Sequence, residues 1–95
     1  MNMKKVIVRA NGAGVFFGEL KEKNGNEVTM TNVRKLFSWY GAAAVEQLAV
    51  DGTSKPDNCK FTIFVEEMTI TNVLQIIPCT DKSIESLTNV PEWKR

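Results

Sequence analysis

The residues of this sequence that could do chemistry lie close together, where two aromatic side chains are followed by residues with almost no side chain. Trp39 and Tyr40 end a run of large apolar residues, and a glycine and three alanines come next. If a helix begins at Gly41, its first backbone amides can bind an anion. A base could stack on either ring, and an arginine would make a bidentate contact with phosphate. The sequence therefore predicts a nucleotide-sized site. Its residues are Arg9, Arg34, Trp39, Tyr40, Gly41, Ala42 and Ala43.

The same stretch has a purely structural interpretation. Buried aromatic side chains usually serve packing, and small residues such as Gly41 and Ala42 allow a helix to pack closely on a sheet. The two rings would then belong to the core. Both interpretations remain open at the level of the sequence.

The sequence offers no recognisable catalytic machinery. It contains no histidine, which is the commonest general base and metal ligand. No nucleophile elbow, Walker loop or Cys-x-x-Cys motif occurs. Glu66 and Glu67 form the one adjacent acidic pair, and neighbours on a strand point to opposite faces. We therefore predict a protein that is not an enzyme and that uses neither a cofactor nor a metal.

Two cysteines, Cys59 and Cys79, leave two interpretations. The favoured one is that both are small buried apolar residues in a reducing compartment. The alternative is a disulfide, which becomes feasible if residues 59–79 fold as a symmetric hairpin.

Composition and charge restrict the partners. The chain has 95 residues, of which 12 are basic and 11 acidic, giving a net charge of +1. This balance argues against bulk nucleic-acid binding, but it allows one small phosphorylated ligand. A third hypothesis is single-stranded nucleic acid held by Arg9, Phe16 and Phe17. No apolar run approaches the ~20 residues of a membrane span, and the N-terminus does not resemble a signal peptide, so we expect a cytoplasmic protein.

Apolar alternation predicts several strands. Asn24-Gly25 is a hairpin signal, and the two glycines of residues 11–14 indicate a plain turn, since phosphate-binding loops open a helix. Gly18 suggests a bulge or a close backbone approach. The predicted strands cover residues 4–10, 15–20, 27–31, 33–40, 61–65, 68–70 and 73–77.

Two helices complete the predicted fold. Residues 41–51 present one amphipathic face and precede Gly52, a suitable residue to end a helix. A shorter helix over residues 81–87 would start at Thr80 or Asp81 as its N-cap. The predicted class is α+β, with an antiparallel or mixed sheet of four to six strands packed against one main helix, plus a short C-terminal helix. Residues 1–95 form a single domain with a tail at 90–95, whose Trp93 needs a surface to rest on.

Several stretches resemble a known family. They are residues 13–20 (AGVFFGEL) with Asn24-Gly25, Arg34 with residues 39–43 (WYGAA) and 47–49 (QLA), and later Pro56, residues 58–61 (NCKF) and 76–80 (IIPCT). Together they resemble a family of short phage and prophage proteins described as a domain of unknown function. That family carries a second tryptophan at about the position of Phe37, so any aromatic site here is smaller.

This resemblance implies a phage accessory protein that acts in the host bacterial cytoplasm. The expected function is a non-enzymatic counter-defence module that sequesters a small nucleotide-like ligand, and a homo-oligomer would help so short a chain. The alternative is an inhibitor or assembly subunit that binds a host or phage protein through a sheet edge or the region of Trp93.

Overall fold

A computed structural model describes residues 4–94 of the chain. It has six strands and two helices, with one short 3-10 turn. The strands are β1 (Lys5–Ala10), β2 (Gly14–Asn24), β3 (Glu27–Ser38), β4 (Lys60–Phe61), β5 (Val65–Ile70) and β6 (Val73–Pro78). The helices are α1 (Val45–Asp51) and α2 (Asp81–Asn89), and the 3-10 turn covers Pro56–Asn58.

The six strands form one antiparallel sheet in the order β4-β3-β2-β1-β6, with β5 also beside β3. Strand β3 is long enough to pair with two partners in succession along one edge. Its first part, from Val28 to Val33, pairs with β5, and its end at Leu36 and Ser38 pairs with β4. This result confirms the α+β class and selects the antiparallel form of the predicted sheet.

The sheet must be strongly curled. Strands β5 and β6 lie on opposite edges of the sheet, yet only Thr71 and Asn72 join them. In a flat sheet, four inter-strand spacings would separate these strands by about 19 Å. A connection of two residues reaches at most about 11 Å. Two hydrogen bonds of 2.9 Å hold the link in place. The amide of Asn11 donates to the carbonyl of Asn72, and the amide of Val73 donates to the carbonyl of Asn26.

Curling gives the molecule two apolar clusters, one on each face of the sheet. The buried residues of the inner core all lie on strands and are Val6, Val8, Ala10, Phe16, Val28, Met30, Val33 and Ile70. The outer core lies under the helices and contains Ile7, Phe17, Leu36, Leu48, Ala49, Cys59, Phe61, Leu87 and Val90. Successive side chains of a strand point to opposite faces, so β1 contributes to both clusters, Ile7 to the outer core and Val6, Val8 and Ala10 to the inner core.

The expected main helix is shorter than predicted. It begins at Val45 rather than at Gly41 and has seven residues, against nine for α2. Gly41 has φ +86° and Ala44 is extended, so neither is in a helical conformation. Leu48 and Ala49 from α1 share the outer core with Leu87 from α2. The expectation of a sheet packed against one main helix is therefore not confirmed.

Several local predictions are confirmed. The hydroxyl of Thr80 accepts a bond from the Ser83 amide and caps α2. Gly52 follows α1 with φ +74°, and its amide donates to the Leu48 carbonyl at 3.0 Å. A Cβ at Gly18 would lie 2.7 Å from Cα of Val33, which is the close backbone approach predicted there. No helix within residues 4–94 has the length and apolar character needed to cross a membrane.

Replacing Gly52 by alanine should destabilise the contact between the two helices. Its φ of +74° with ψ of −151° is nearly restricted to glycine, and a Cβ would collide with Ser86 of α2. Backbone strain of about 1–2 kcal/mol and overpacking of about 1–3 kcal/mol together predict a loss of roughly 3 kcal/mol in the free energy of unfolding. Urea denaturation would measure this loss.

Gly25→Ala is the matched control, because Gly25 also has positive φ (+64°) but nothing lies within 4 Å of its added Cβ. We expect it to lose only the strain contribution. Equal losses in the two variants would show that the contact with Ser86 is unimportant.

Candidate functional site

Arg34, a predicted ligand contact, is instead a structural residue inside the protein. Its side chain is 0% exposed. The Nε atom donates to the carbonyl of Thr62 at 2.9 Å, and Nη2 donates to that of Phe61 at 3.3 Å. The Nη1 atom donates to the carbonyls of Leu87 and Val90, at 3.1 and 2.9 Å. This corrects the prediction, because a guanidinium with four protein acceptors and no exposure does not contact a ligand.

The environment of Arg34 stabilises a charge that burial disfavours. Loss of hydration lowers the pKa of the guanidinium, and the negative charge of Glu92 acts in the opposite direction. Two aromatic rings also face the charge: Cζ lies 4.5 Å from the centre of Phe64 and 5.4 Å from that of Phe61. Arg34 therefore joins the end of α2 to the irregular segment that contains β4.

The amides of residues 41–43 do not form the helix N-terminus that the predicted phosphate site requires. They precede α1, and the amide of Ala43 already donates to Oε1 of Gln47 at 2.7 Å. The carbonyl of Tyr40 accepts a bond from the Thr53 hydroxyl, and that of Gly41 accepts one from the Ser54 amide. A Cβ at Gly41 would lie 2.7 Å from the amide nitrogen of Lys55. The segment is a turn packed against the loop that follows α1.

The two predicted rings have different environments. Trp39 is half-buried and packs against the outer core, whereas Tyr40 is 64% exposed. Tyr40 therefore lies on the surface and does not belong to the core. Ala42 also packs partly against the outer core.

The structure does bring two predicted residues together, Arg9 and Trp39. They line a groove of about 350 Å³ at the start of α1, where β1 and β6 pass beneath it. Its residues are Arg9, Trp39, Ala44, Val45, Glu46 and Gln75. A volume of this size lies near the lower end of ligand pockets, which begin at about 300 Å³. We take this groove as the candidate site.

A chain of polar side chains runs along the groove. Nε of Arg9 donates to Oε1 of Gln75 at 3.2 Å, and Nε2 of Gln75 donates to Oε2 of Glu46 at 3.3 Å. A bond from its own backbone amide lowers the pKa of Glu46, and the Gln75 amide and the charge of Arg9 lower it further, so the carboxylate is ionised at neutral pH. Within residues 4–94, the structure shows no partner for the two terminal nitrogens of Arg9.

Sequence reasoning missed Glu46 and Gln75. Gln75 lies opposite Arg9 in the pairing of β1 with β6, so its position depends on the strand order. Glu46 is in the first turn of α1 and was hidden by the prediction of an earlier helix start. Neither residue belongs to a recognisable motif.

The two rings on which the nucleic-acid hypothesis depends, those of Phe16 and Phe17, are buried and cannot stack on a base. Phe16 is 5% exposed and belongs to the inner core, and Phe17 is 1% exposed and belongs to the outer core. Both are therefore packing residues. Of that set, only Arg9 is exposed.

Trp93 packs against other residues of the protein surface, as the sequence predicts. Its ring stacks on Phe37 with centroids 5.1 Å apart, and Nζ of Lys60 lies 5.6 Å from its centre. The Trp93 amide donates to the carbonyl of Phe61 at 2.8 Å. Residues 90–94 are thus fixed beside β4, and Trp93 already has an aromatic partner within the chain.

Other chemistry-bearing groups give weaker candidates. Cys59 and Cys79 are free thiols, and burial raises the pKa of Cys79. Cys79 lines a cavity of about 630 Å³, whose lining also contains lysines, acidic residues and apolar residues. That wall includes Lys4, the first described residue. Across residues 4–94, no group of three or more potential ligands is placed to hold a metal ion.

Residues 3–87 match the model of a protein family described as a domain of unknown function, DUF6948. The chain belongs to this family. The matched segment contains every residue of the groove, whereas Val90 and Trp93 lie beyond it. Comparison with curated proteins and with solved structures found no match.

Arg34→Met should strongly destabilise the protein. The carbonyls of Thr62, Leu87 and Val90 would lose a charged donor, and each buried acceptor left unpaired costs about 1–3 kcal/mol. We expect a loss of about 3 kcal/mol or more in urea denaturation. Arg34→Lys should also be destabilised, because an ammonium cannot reproduce the guanidinium fork.

Lys21→Met serves as the control for removing a cation. Lys21 pairs with Glu67 at 3.0 Å on the surface, and exposed ion pairs contribute little to stability. We expect little change in its urea midpoint. An Arg34→Met protein as stable as the Lys21→Met protein would contradict the structural role of Arg34.

Proposed function

We propose that this protein is a non-catalytic binding module that holds a small planar, nucleotide-like ligand in the groove between Arg9 and Trp39. The observation that carries the proposal is the combination of an indole wall with a guanidinium whose terminal nitrogens have no partner among the described residues. Base-aromatic stacking is a strong contribution to nucleotide binding, and arginine is well suited to paired acceptors.

The size and charge of the groove limit the ligand. About 350 Å³ accommodates a base with part of a sugar rather than a whole dinucleotide. The ionised Glu46 repels a phosphate placed beside it. A phosphorylated ligand would therefore keep its base in the groove and extend its phosphate away from Glu46.

The biological role that we propose rests on the resemblance to phage and prophage proteins. A small protein that retains such a ligand without converting it would act as a phage accessory protein by lowering the free concentration of a host defence signal. This role places the protein in the host bacterial cytoplasm. No described residue of the groove besides Glu46 carries a carboxylate, and the sequence has no histidine, which favours binding over catalysis.

The proposal is tested by tryptophan fluorescence and thermal denaturation with a panel of nucleosides and of linear and cyclic nucleotides. A ligand present at a hundred times its dissociation constant should add about 2.7 kcal/mol to the free energy of unfolding. Ligand-dependent quenching should persist in Trp93→Phe, which keeps the stack on Phe37, and disappear in Trp39→Leu. A panel that changes neither stability nor fluorescence would refute the proposal.

A second candidate function, as an assembly subunit, is favoured by the edge of β6. Among the described residues 4–94, this strand pairs only with β1. It carries no charge from Val73 to Pro78, and Leu74 is 60% exposed. At the opposite edge of the sheet, β5 carries the exposed Glu66 and Glu67. Charged residues protect edges from pairing, so β6 is the edge suited to pair with β6 of a second copy. Since an uncharged strand does not repel itself, we propose a reversible homodimer.

The oligomeric state tests this candidate. Light scattering after size exclusion should show a dimer that dissociates on dilution, and Leu74→Lys should give a monomer because it adds a charge to the pairing strand of each copy. Ile63→Lys, at an exposed apolar residue outside β6, is the control and should leave the dimer intact. A wild-type protein that is monomeric at every concentration would exclude the homodimer.

A further inference from the structure

The hydrogen-bonding groups of the groove are divided by type. Gln75 uses both ends of its amide within the protein, since Oε1 accepts from Arg9 and Nε2 donates to Glu46. The charged groups left for a ligand are therefore the guanidinium of Arg9, which only donates, and the carboxylate of Glu46, which only accepts. They lie on either side of Gln75, next to Trp39.

We propose that the base bound in this groove is guanine, an inference that rests on the proposed function and specifies its ligand. Guanine has two acceptors, O6 and N7, on one edge, which match the guanidinium of Arg9. Its neighbouring edge has two donors, N1–H and the N2 amine, which match the carboxylate of Glu46. One planar base thus meets the donor-only and acceptor-only groups together, with the indole of Trp39 against its face.

The other bases mismatch at least one of the two groups. Adenine places the N6 donor beside the N7 acceptor, so Arg9 would face a donor and Glu46 would face the N1 acceptor. Cytosine presents its N3 acceptor next to its amine, and uracil offers one donor between two acceptors. A carboxylate that faces an acceptor gives up hydration without gaining a hydrogen bond. The groove therefore favours guanine because both of its edges match, and it disfavours the other bases because at least one of their edges does not.

The base, and not the phosphate, is the recognised part of the ligand. Guanosine should consequently bind about as well as its monophosphate, because the groove offers Arg9 as its single cation beside an ionised Glu46. Inosine lacks the N2 amine and keeps every other group of guanine. It isolates the second hydrogen bond to Glu46.

The test measures dissociation constants for guanosine, inosine and adenosine from the quenching of Trp39 in the Trp93→Phe protein. We expect guanosine to bind about 10- to 100-fold more tightly than adenosine, as one well-made bidentate pair provides, with inosine between them. Glu46→Gln should reduce the preference for guanosine over adenosine by at least about threefold, and the preference that remains comes from Arg9. Glu66→Gln, which removes an exposed carboxylate on β5, should leave the preference unchanged.

The outcomes separate the two proposals. Equal binding of guanosine and adenosine, or a preference that Glu46→Gln does not alter, would overturn the guanine assignment and leave the binding module intact. Absence of binding by all three nucleosides overturns the guanine assignment, and failure of the wider nucleotide panel overturns the binding module too. Glu46 is exposed, and circular dichroism of Glu46→Gln would verify that its fold is retained.

Discussion

The fold depends on a buried positive charge that is held by main-chain carbonyls. Arg34 contributes a guanidinium whose direct acceptors are peptide oxygens from β4, the residue after it, and the end of α2. Peptide dipoles and two aromatic faces take the place of a carboxylate in direct contact. Carbonyls at the end of a helix lack intrahelical partners, so one side chain satisfies α2 and fixes its position on the sheet. The outer core closes under α2 because this position is fixed.

The groove is a consequence of how the helices cover the sheet. Both helices are short, and α1 begins four residues later than the predicted start at Gly41, so the region between Trp39 and Val45 is left partly open. Arg9 and Gln75 reach this opening from paired positions on β1 and β6. Three elements distant in sequence therefore supply one small surface that combines an aromatic wall with opposite charges.

Much of the fold is readable from the sequence, because strands and turns depend on local patterns. Alternation located β1, β2, β3 and β6 but placed the bounds of β4 and β5 wrongly. Asn24-Gly25 and Thr80 marked a hairpin and a helix cap. The prediction that α1 begins at Gly41 is wrong for a physical reason. Alanines favour a helix, but Gly41 must adopt positive φ to pass beside Ser54 and Lys55. The roles of Arg34 and Gln75 were not readable, since their partners lie 27 to 66 residues away and depend on the tertiary fold.

The two-residue link between β5 and β6 has a consequence for the order in which the chain folds. Strands β1, β2 and β3 follow one another and can assemble through nearby contacts, whereas β6 must return to β1 across 66 residues, the separation of Arg9 and Gln75. Closure of so long a loop opposes early pairing. Strand β5 must first pair with β3, because only then does the short link after β5 bring β6 close to β1. We therefore expect the curl to be completed late in folding, with one edge of β1 unpaired until then.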